Sequence, residues 1–374
     1  MFILSKPRLH DSPKTIEQIL TQGYFSVHLH LRDNYFVFVV KLKNMTKQKP
    51  IVVTIGGGTG TFVTLSGLKY YEIDLNAIVA MTDSGGSTGK LRDQLGVLPP
   101  GDLRQALIAL SEASEVWRKL FTYRFETGDL EGHNFGNIFL SAIEKITDSN
   151  QEAIDRAADV LQTCGRVIPI TFDNCTLCAK YEDGTVFEGE ADIDEETKSG
   201  VRIEKLYLKP SADINLEAKR VLERANTVVL GPGDLYTSVL PNLIVSGVPD
   251  IFHYAKAKKI LVVNLMTKVG QTEGFKVSDF INEIEKYLGE GSINYAVVNS
   301  KKPSKDLVKI YKDVDKAELV EDDVGGTYRR AKIIRADLLS DTAFEKSSSD
   351  ELKRSLIRHD PDKLAKVIYR IVRS

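Results

Sequence analysis

The sequence predicts an α/β fold in which a mostly parallel sheet carries helices on both faces and is interrupted by a small antiparallel β insertion. Three observations carry this expectation. The apolar run at 51–55 breaks abruptly at Gly56-Gly57-Gly58-Thr59-Gly60 and leads into a helical pattern with Phe62, Leu65 and Leu68 at every third position. A second apolar run at 77–81 ends in Thr82-Asp83-Ser84-Gly85-Gly86-Ser87-Thr88-Gly89. A third, at 227–230, runs straight into Gly231-Pro232-Gly233-Asp234. Glycine-rich loops at the carboxyl ends of neighbouring parallel strands mark the edge of an open α/β sheet at which ligands bind.

The 374 residues suffice for a large core, and 50 Lys and Arg against 52 Asp and Glu leave a formal charge of −2. No global field therefore favours nucleic acid or an anionic membrane. Three cysteines, Cys164, Cys175 and Cys178, cannot all pair with one another, and so sparse a usage points to a reducing cytoplasm. No stretch approaches the ~18 consecutive apolar residues of a membrane-spanning helix.

Residues 1–48 read as an extension unlike the rest of the chain, with a short helix at 12–20, an alternating strand at 25–31 and an apolar run from Tyr35 to Leu42. His28 and His30 share one face of that strand; without a third ligand nearby they read as ordinary strand histidines. Met45 reads as an alternative natural start ahead of a polar lead-in. After the two glycine loops, Leu98-Pro99-Pro100-Gly101 reads as a turn, and Asp102 with Gln105 has capping-box spacing at the head of a helix through Leu110, which leaves Asp102 open to a structural or a site role. Two amphipathic helices come next, with apolar faces at Phe139, Ala142, Ile143 and Ile146, and at Ile154, Ala157, Ala158 and Leu161. From about 166 to 210 the texture turns to β, with Glu182-Asp183-Gly184 as a hairpin turn, and this is the expected insertion. The α/β rhythm returns with a helix through Ala218, Val221 and Leu222, then strands at 260–265 and 295–298 flanking a helix opened by Ser278 and closed by Gly289. Asp360 as cap and Pro361 at the first position open the last helix.

Glycine turns after strands expose backbone N–H groups to an approaching phosphate, and the following helix adds its positive end. Familiar fingerprints nevertheless fail. Thr61 stands where a dinucleotide motif needs its third glycine, Ser84 replaces the first glycine of a Walker A loop, and Leu91 replaces its Ser or Thr. Asp83, closing its strand, suits a ribose hydroxyl, a magnesium ion or a nucleobase; the alternative is a turn-forming Asp. Asn134 and Asn137 flank Gly136 ahead of a helix, and capping explains one of them. His133 lacks an identifiable carboxylate partner. The single Cys175-Thr176-Leu177-Cys178 in a β pattern has neither a second pair nor a histidine to make a zinc site.

Taken together, the stretches at 56–60, 82–92, Leu98-Pro99-Pro100-Gly101-Asp102-Leu103-Arg104, Gly132-His133-Asn134-Phe135-Gly136-Asn137, 231–238 and Leu356-Ile357-Arg358-His359-Asp360 resemble the CofD/YvcK family, from about residue 45 to the C-terminus. The resemblance implies a Rossmann-like domain over 49–374. The Leu-Pro-Pro-Gly-Asp turn and the closing Ile-Arg-His-Asp are similar to the YvcK branch. That branch implies a cytoplasmic, homodimeric binder of UDP-sugars such as UDP-N-acetylglucosamine that supports cell shape and envelope synthesis under gluconeogenic growth, with cell-envelope synthesis proteins as partners and no established reaction. The implied ligand residues are Gly57, Gly58, Thr59, Gly60, Asp83, Ser84, Gly85, Gly86, Asn134, Asn137, Gly231, Gly233, Tyr311 and Arg358. Tyr311 would stack on the ligand, although 324–330 looks like a local insertion that blurs its alignment. Arg358 would pair with the diphosphate through its paired donors. The other branch implies a phospholactate transferase of deazaflavin cofactor synthesis, with magnesium and with Asp83 as metal or acceptor contact. A third alternative is a scaffold whose ligand only stabilises the fold.

Overall fold

In the computed structural model of the chain, residues 25–32, 35–42, 48–195, 199–314, 316–341 and 357–374 are described. The chain divides into two units, Met1–Lys49 and Pro50–Ser374. In the first, β1 (Phe25–Arg32) and β2 (Tyr35–Leu42) form an antiparallel hairpin in register from Phe25 opposite Leu42 to Arg32 opposite Tyr35. The helix expected at 12–20 and Met45 lie outside the described residues.

The second unit is built on one eight-stranded sheet. Its first half comprises β3 (Ile51–Ile55), α1 (Gly58–Leu68), β4 (Asp74–Val79), α2 (Gly86–Leu95), α3 (Pro100–Leu110), α4 (Glu115–Thr122), α5 (Phe135–Ile146), α6 (Asn150–Leu161) and β5 (Arg166–Pro169). An insertion follows, comprising β6 (Thr176–Tyr181), β7 (Val186–Glu188), α7 (Glu190–Glu195) and β8 (Ile203–Lys209). The second half comprises α8 (Leu216–Arg224), β9 (Thr227–Leu230), a π-helical turn (Leu235–Val239), α9 (Leu240–Leu243), α10 (Val248–Tyr254), β10 (Lys258–Val262), α11 (Val277–Leu288), β11 (Tyr295–Asn299), α12 (Lys305–Val314), β12 (Thr327–Tyr328), β13 (Ala331–Ala336) and α13 (Pro361–Arg373). The strand order is β12-β13-β11-β10-β9-β3-β4-β5, parallel throughout except for β12, whose short hairpin with β13 forms one edge. The chain therefore winds outward from β3 to β5 and returns to β9 on the other side of β3, so the topological switch point lies between β3 and β9.

Side chains alternate across each strand, and this divides the core in two. Val52 joins the helices α1, α3, α6 and α13 on one face, whereas Val53 and Ile55 join α8, α10, α11 and the insertion strands on the other. Helices cover both faces, as the apolar strand runs required.

Several expectations are corrected. Arg166–Pro169 pairs in parallel with β4, so the antiparallel insertion runs from Thr176 to Lys209 and not from 166 to 210. Phe62 is 36% exposed while Thr61, Thr64, Leu65 and Leu68 are buried. A three-residue step drifts around a helix of 3.6 residues per turn, and this misplaces the first member of the series. In α5 Phe139 and Ile143 pack against the core as expected, but the fully buried stripe is Gly136, Asn137, Leu140 and Ser141, Ala142 is exposed and Ile146 is 83% exposed. The second glycine loop becomes the first turn of α2, which glycine's poor helix propensity concealed. Pro99, not Asp102, is the N-cap of α3, with Pro100 and Gly101 already helical. Likewise α11 begins at Val277, and Ser278 donates instead to Asp323 at 2.5 Å.

Candidate functional site

At the switch point two glycine turns are packed backbone to backbone. A Cβ at Gly60 would stand 2.1 Å from the Pro232 carbonyl, and one at Gly56 would stand 2.5 Å from Thr61 Oγ1. Thr61 thus fills the space that the third glycine of a dinucleotide motif leaves open. Asn264, just past β10, fixes the second turn: its Nδ2 donates to Gly233 O at 2.8 Å and its Oδ1 accepts from Gly233 N at 3.4 Å.

Beside these turns lies a cavity of about 360 Å³, within the size range of small-molecule sites. One part is polar, with Thr59, Gly60, Gly233, Asp234 and Lys268; another is lined by Leu265, Met266, Tyr311, Ala317 and Ile357, with Arg358 and His359 beside them. Tyr311 is 4% exposed, and its hydroxyl accepts from Ile357 N at 3.0 Å, which pins the segment that carries Arg358. Lys268 is held between Asp194 Oδ1 and Asp234 Oδ2, each at 2.6 Å. Burial disfavours its charge, but Asp234 and Asp194 outweigh burial and hold its pKa above the ordinary lysine value.

The fourteen residues named from sequence separate into three groups. Thr59, Gly60, Gly233, Tyr311 and Arg358 line the cavity. Asp83, Ser84, Asn134 and Asn137 do not line it and are engaged instead in local contacts, Asp83 and Asn137 both meeting Thr88 of α2 and Ser84 meeting the insertion. Asp83 Oδ1 accepts from Gly85 N at 3.0 Å, so the Asx turn forms; a Cβ at Gly101 would stand 2.1 Å from its other oxygen. Asn134 caps α5 by accepting from Asn137 N at 3.3 Å, and Asn137 Nδ2 in turn donates to Thr88 Oγ1 at 3.4 Å. Both asparagines therefore have structural partners. Ser87 Oγ lies 3.3 Å from His133 Nδ1, and Ser84 Oγ accepts from Ala191 N of the insertion at 3.2 Å. Gly57 and Gly58 open α1, Gly85 and Gly86 open α2, and Gly231 follows β9; none of the five lines the cavity.

Asp102 alters the first turn. Its Oδ1 accepts from Gly58 N at 2.8 Å, and a Cβ at Gly57 would stand 2.0 Å from its Oδ2. A carboxylate thus already takes one of the N–H groups that the glycine turn would offer to a phosphate. Burial and the neighbouring Asp83 push the Asp102 carboxyl up to about 7. Glu190, at the start of α7, is raised well above the ordinary range by burial and then by Asp83 and Asp102. Asp83 is raised by burial as well. Oxygen donors of this kind suit magnesium. Among the described residues, however, no three carboxylate, imidazole or thiolate side chains converge closely enough to hold a metal ion. Cys175 and Cys178 are buried free thiols.

Sequence reasoning missed Glu190, Asp194, Asn264 and Lys268. The strand-edge rule that singled out the glycine loops, applied to the next parallel strand, would have flagged Asn264 and Lys268; Glu190 and Asp194 arrive on an insertion that no strand rule covers.

The family described as 2-phospho-L-lactate transferase CofD matches residues 52–339. Similar proteins named gluconeogenesis factor include one from Listeria monocytogenes, 41% identical over 265 residues, which are 70% of this chain and 80% of the relative. Another, from Halalkalibacterium halodurans, is 39% identical over 275 residues, 73% of this chain and 84% of its own. A Clostridium acetobutylicum relative is 36% identical over 375 residues, covering 96% of this chain and 77% of its own length. A crystal structure of a UPF0052 family member from Bacillus halodurans superposes with a TM-score of 0.77 at 34% identity, covering 87% of this chain and 99% of that one. The chain belongs to the CofD family, among the relatives that carry the gluconeogenesis-factor name.

Proposed function

We propose that the protein is a cytoplasmic UDP-sugar-binding regulator, with UDP-N-acetylglucosamine as the type of ligand, that supports cell shape and envelope synthesis when growth is gluconeogenic. The observation that carries the reading is the cavity at the switch point, where Gly60 and Gly233 share one wall system with Tyr311 and Arg358 from far along the chain. On this reading the diphosphate lies against the glycine turns, Arg358 pairs with it through its fork of donors, and the uridine takes the apolar part of the cavity. A homodimer and a contact with an envelope-synthesis protein belong to the same proposal. Among the described residues no helix is long and apolar enough to cross a membrane, which is compatible with it.

The phospholactate transferase is the second reading, favoured by the family description and by the neighbouring half-buried carboxylates Asp83, Asp102 and Glu190. A calorimetric titration with UDP-N-acetylglucosamine, GDP and NAD separates the two. The UDP-sugar is expected to bind tightest; tight GDP binding without a uridine preference would overturn the first reading in favour of the second.

A further inference from the structure

We propose that His359 is a specificity-determining residue of this site, whose Nε2 lone pair accepts a hydrogen bond from the ring N–H of a keto nucleobase, so that uracil is taken in preference to cytosine. The inference rests on the UDP-sugar reading and refines it.

His359 is 6% exposed and lines the cavity. Its ring is hydrogen-bonded to the backbone of Val263 at the end of β10, while Nε2 has no partner among the described residues. The Val263 N–H is already used, donating to Val297 O at 3.1 Å, so Val263 offers the ring its carbonyl. The nitrogen facing that carbonyl, Nδ1, must therefore carry the proton, which leaves Nε2 as a bare acceptor. Burial pushes the imidazole pKa down to about 4, so the ring is neutral near pH 7 and offers no second N–H.

Its surroundings decide which part of a nucleotide it would meet. Leu265, Tyr311, Ala317, Leu339 and Ile357 form a small apolar cluster of their own, and four of these five also line the cavity. A flat base suits such a wall; a charged phosphate does not. A buried acceptor without a donor is costly, and the pairing edges of the two pyrimidines differ at this point: uracil presents an N3–H, cytosine a bare N3 lone pair that would face Nε2 unfavourably.

The test is calorimetry with UDP and CDP on the wild type and on His359→Asn. The asparagine amide can still donate to Val263 O but places nothing where Nε2 was. We expect the wild type to prefer UDP, and the variant to bind UDP about tenfold more weakly with CDP unchanged. An unchanged UDP affinity and UDP/CDP ratio would overturn the inference. Because the variant could fold poorly, 3-methyluridine diphosphate, which lacks the N3–H, probes the same contact on the wild type; binding equal to that of UDP also overturns it. If UDP-N-acetylglucosamine binds and these ratios do not move, only the role of His359 falls. If no uridine ligand binds, the UDP-sugar reading falls and the inference goes with it.

Discussion

At the scale of single residues, Asp102 shows how one side chain changes the meaning of a motif. The glycine turn at 56–60 is an anion site by its backbone, yet the carboxylate beneath it takes the Gly58 N–H and lies close to Asp83 and Glu190. Crowding acidic groups in a poorly solvated pocket favours the protonated forms. The Asp102 carboxyl is at about 7 in the fold against an ordinary 3.8, so the folded protein keeps a proton that the unfolded chain releases. Its contribution is fully present below about pH 4 and is lost as pH rises through about 7. Thermal melts should accordingly fall as pH is raised from 5 to 8, and Asp102→Asn, which keeps the acceptor for Gly58 N and removes the titration, should flatten that slope. Identical slopes for the two proteins would contradict this account. The sequence displayed Asp102 but not this role, since its spacing to Gln105 has an equally good local explanation as a cap.

Among the elements, the packing of α13 on α1 is the clearest case of a contact made by small residues. A Cβ at Gly67 would stand 2.2 Å from the Pro361 carbonyl and 2.8 Å from the Ala365 methyl, so the two helices approach as closely as glycine permits. Asp360 caps α13 by accepting from Asp362 N and Lys363 N at 3.0 and 2.9 Å, as its sequence pattern indicated. Leu364, Val367, Ile368 and Ile371 then face the core shared with Val52, Leu65 and Leu68. Ile368 is fully buried, and Ile368→Ala should cost about 2–5 kcal/mol in chemical denaturation. A loss below ~1 kcal/mol would mean that this helix contributes little to the core. Helices such as α13 were legible because cap, proline and apolar stripe agree. By contrast α2, α4 and α12 were not read: glycines crowd the first, and only Phe121 and only Tyr311 are buried in the other two.

For the whole molecule, the site exists because a parallel sheet brings the ends of β3, β9 and β10 side by side and the C-terminal segment returns to them. Arg358 reaches the cavity through pairing outside the sheet: Ser340 N donates to Arg358 O at 2.9 Å and Asp360 N to Leu338 O at 2.7 Å. The family match ends at 339, so this segment lies beyond it. Under the UDP-sugar reading, Arg358→Ala should weaken UDP-N-acetylglucosamine binding about tenfold or more while the thermal melt stays nearly unchanged. Unaltered affinity by calorimetry would remove Arg358 from the site.

By itself the sequence determined the fold class, the three glycine turns at the sheet edge and the absence of an ordinary dinucleotide or Walker A fingerprint, because these follow from local backbone chemistry and from apolar runs that only a buried parallel strand explains. Tertiary structure alone decided which named residues meet. Asn134 meets Asn137, and Asp83 and Asn137 share Thr88 as a partner, whereas Thr59, Gly60, Gly233, Tyr311 and Arg358 line the cavity, and Lys268 and His359 join them there. The reason is physical: a strand edge is a local property, whereas the meeting of side chains some three hundred residues apart depends on strand order, register and the return of the C-terminal segment, none of which spacing in the sequence records.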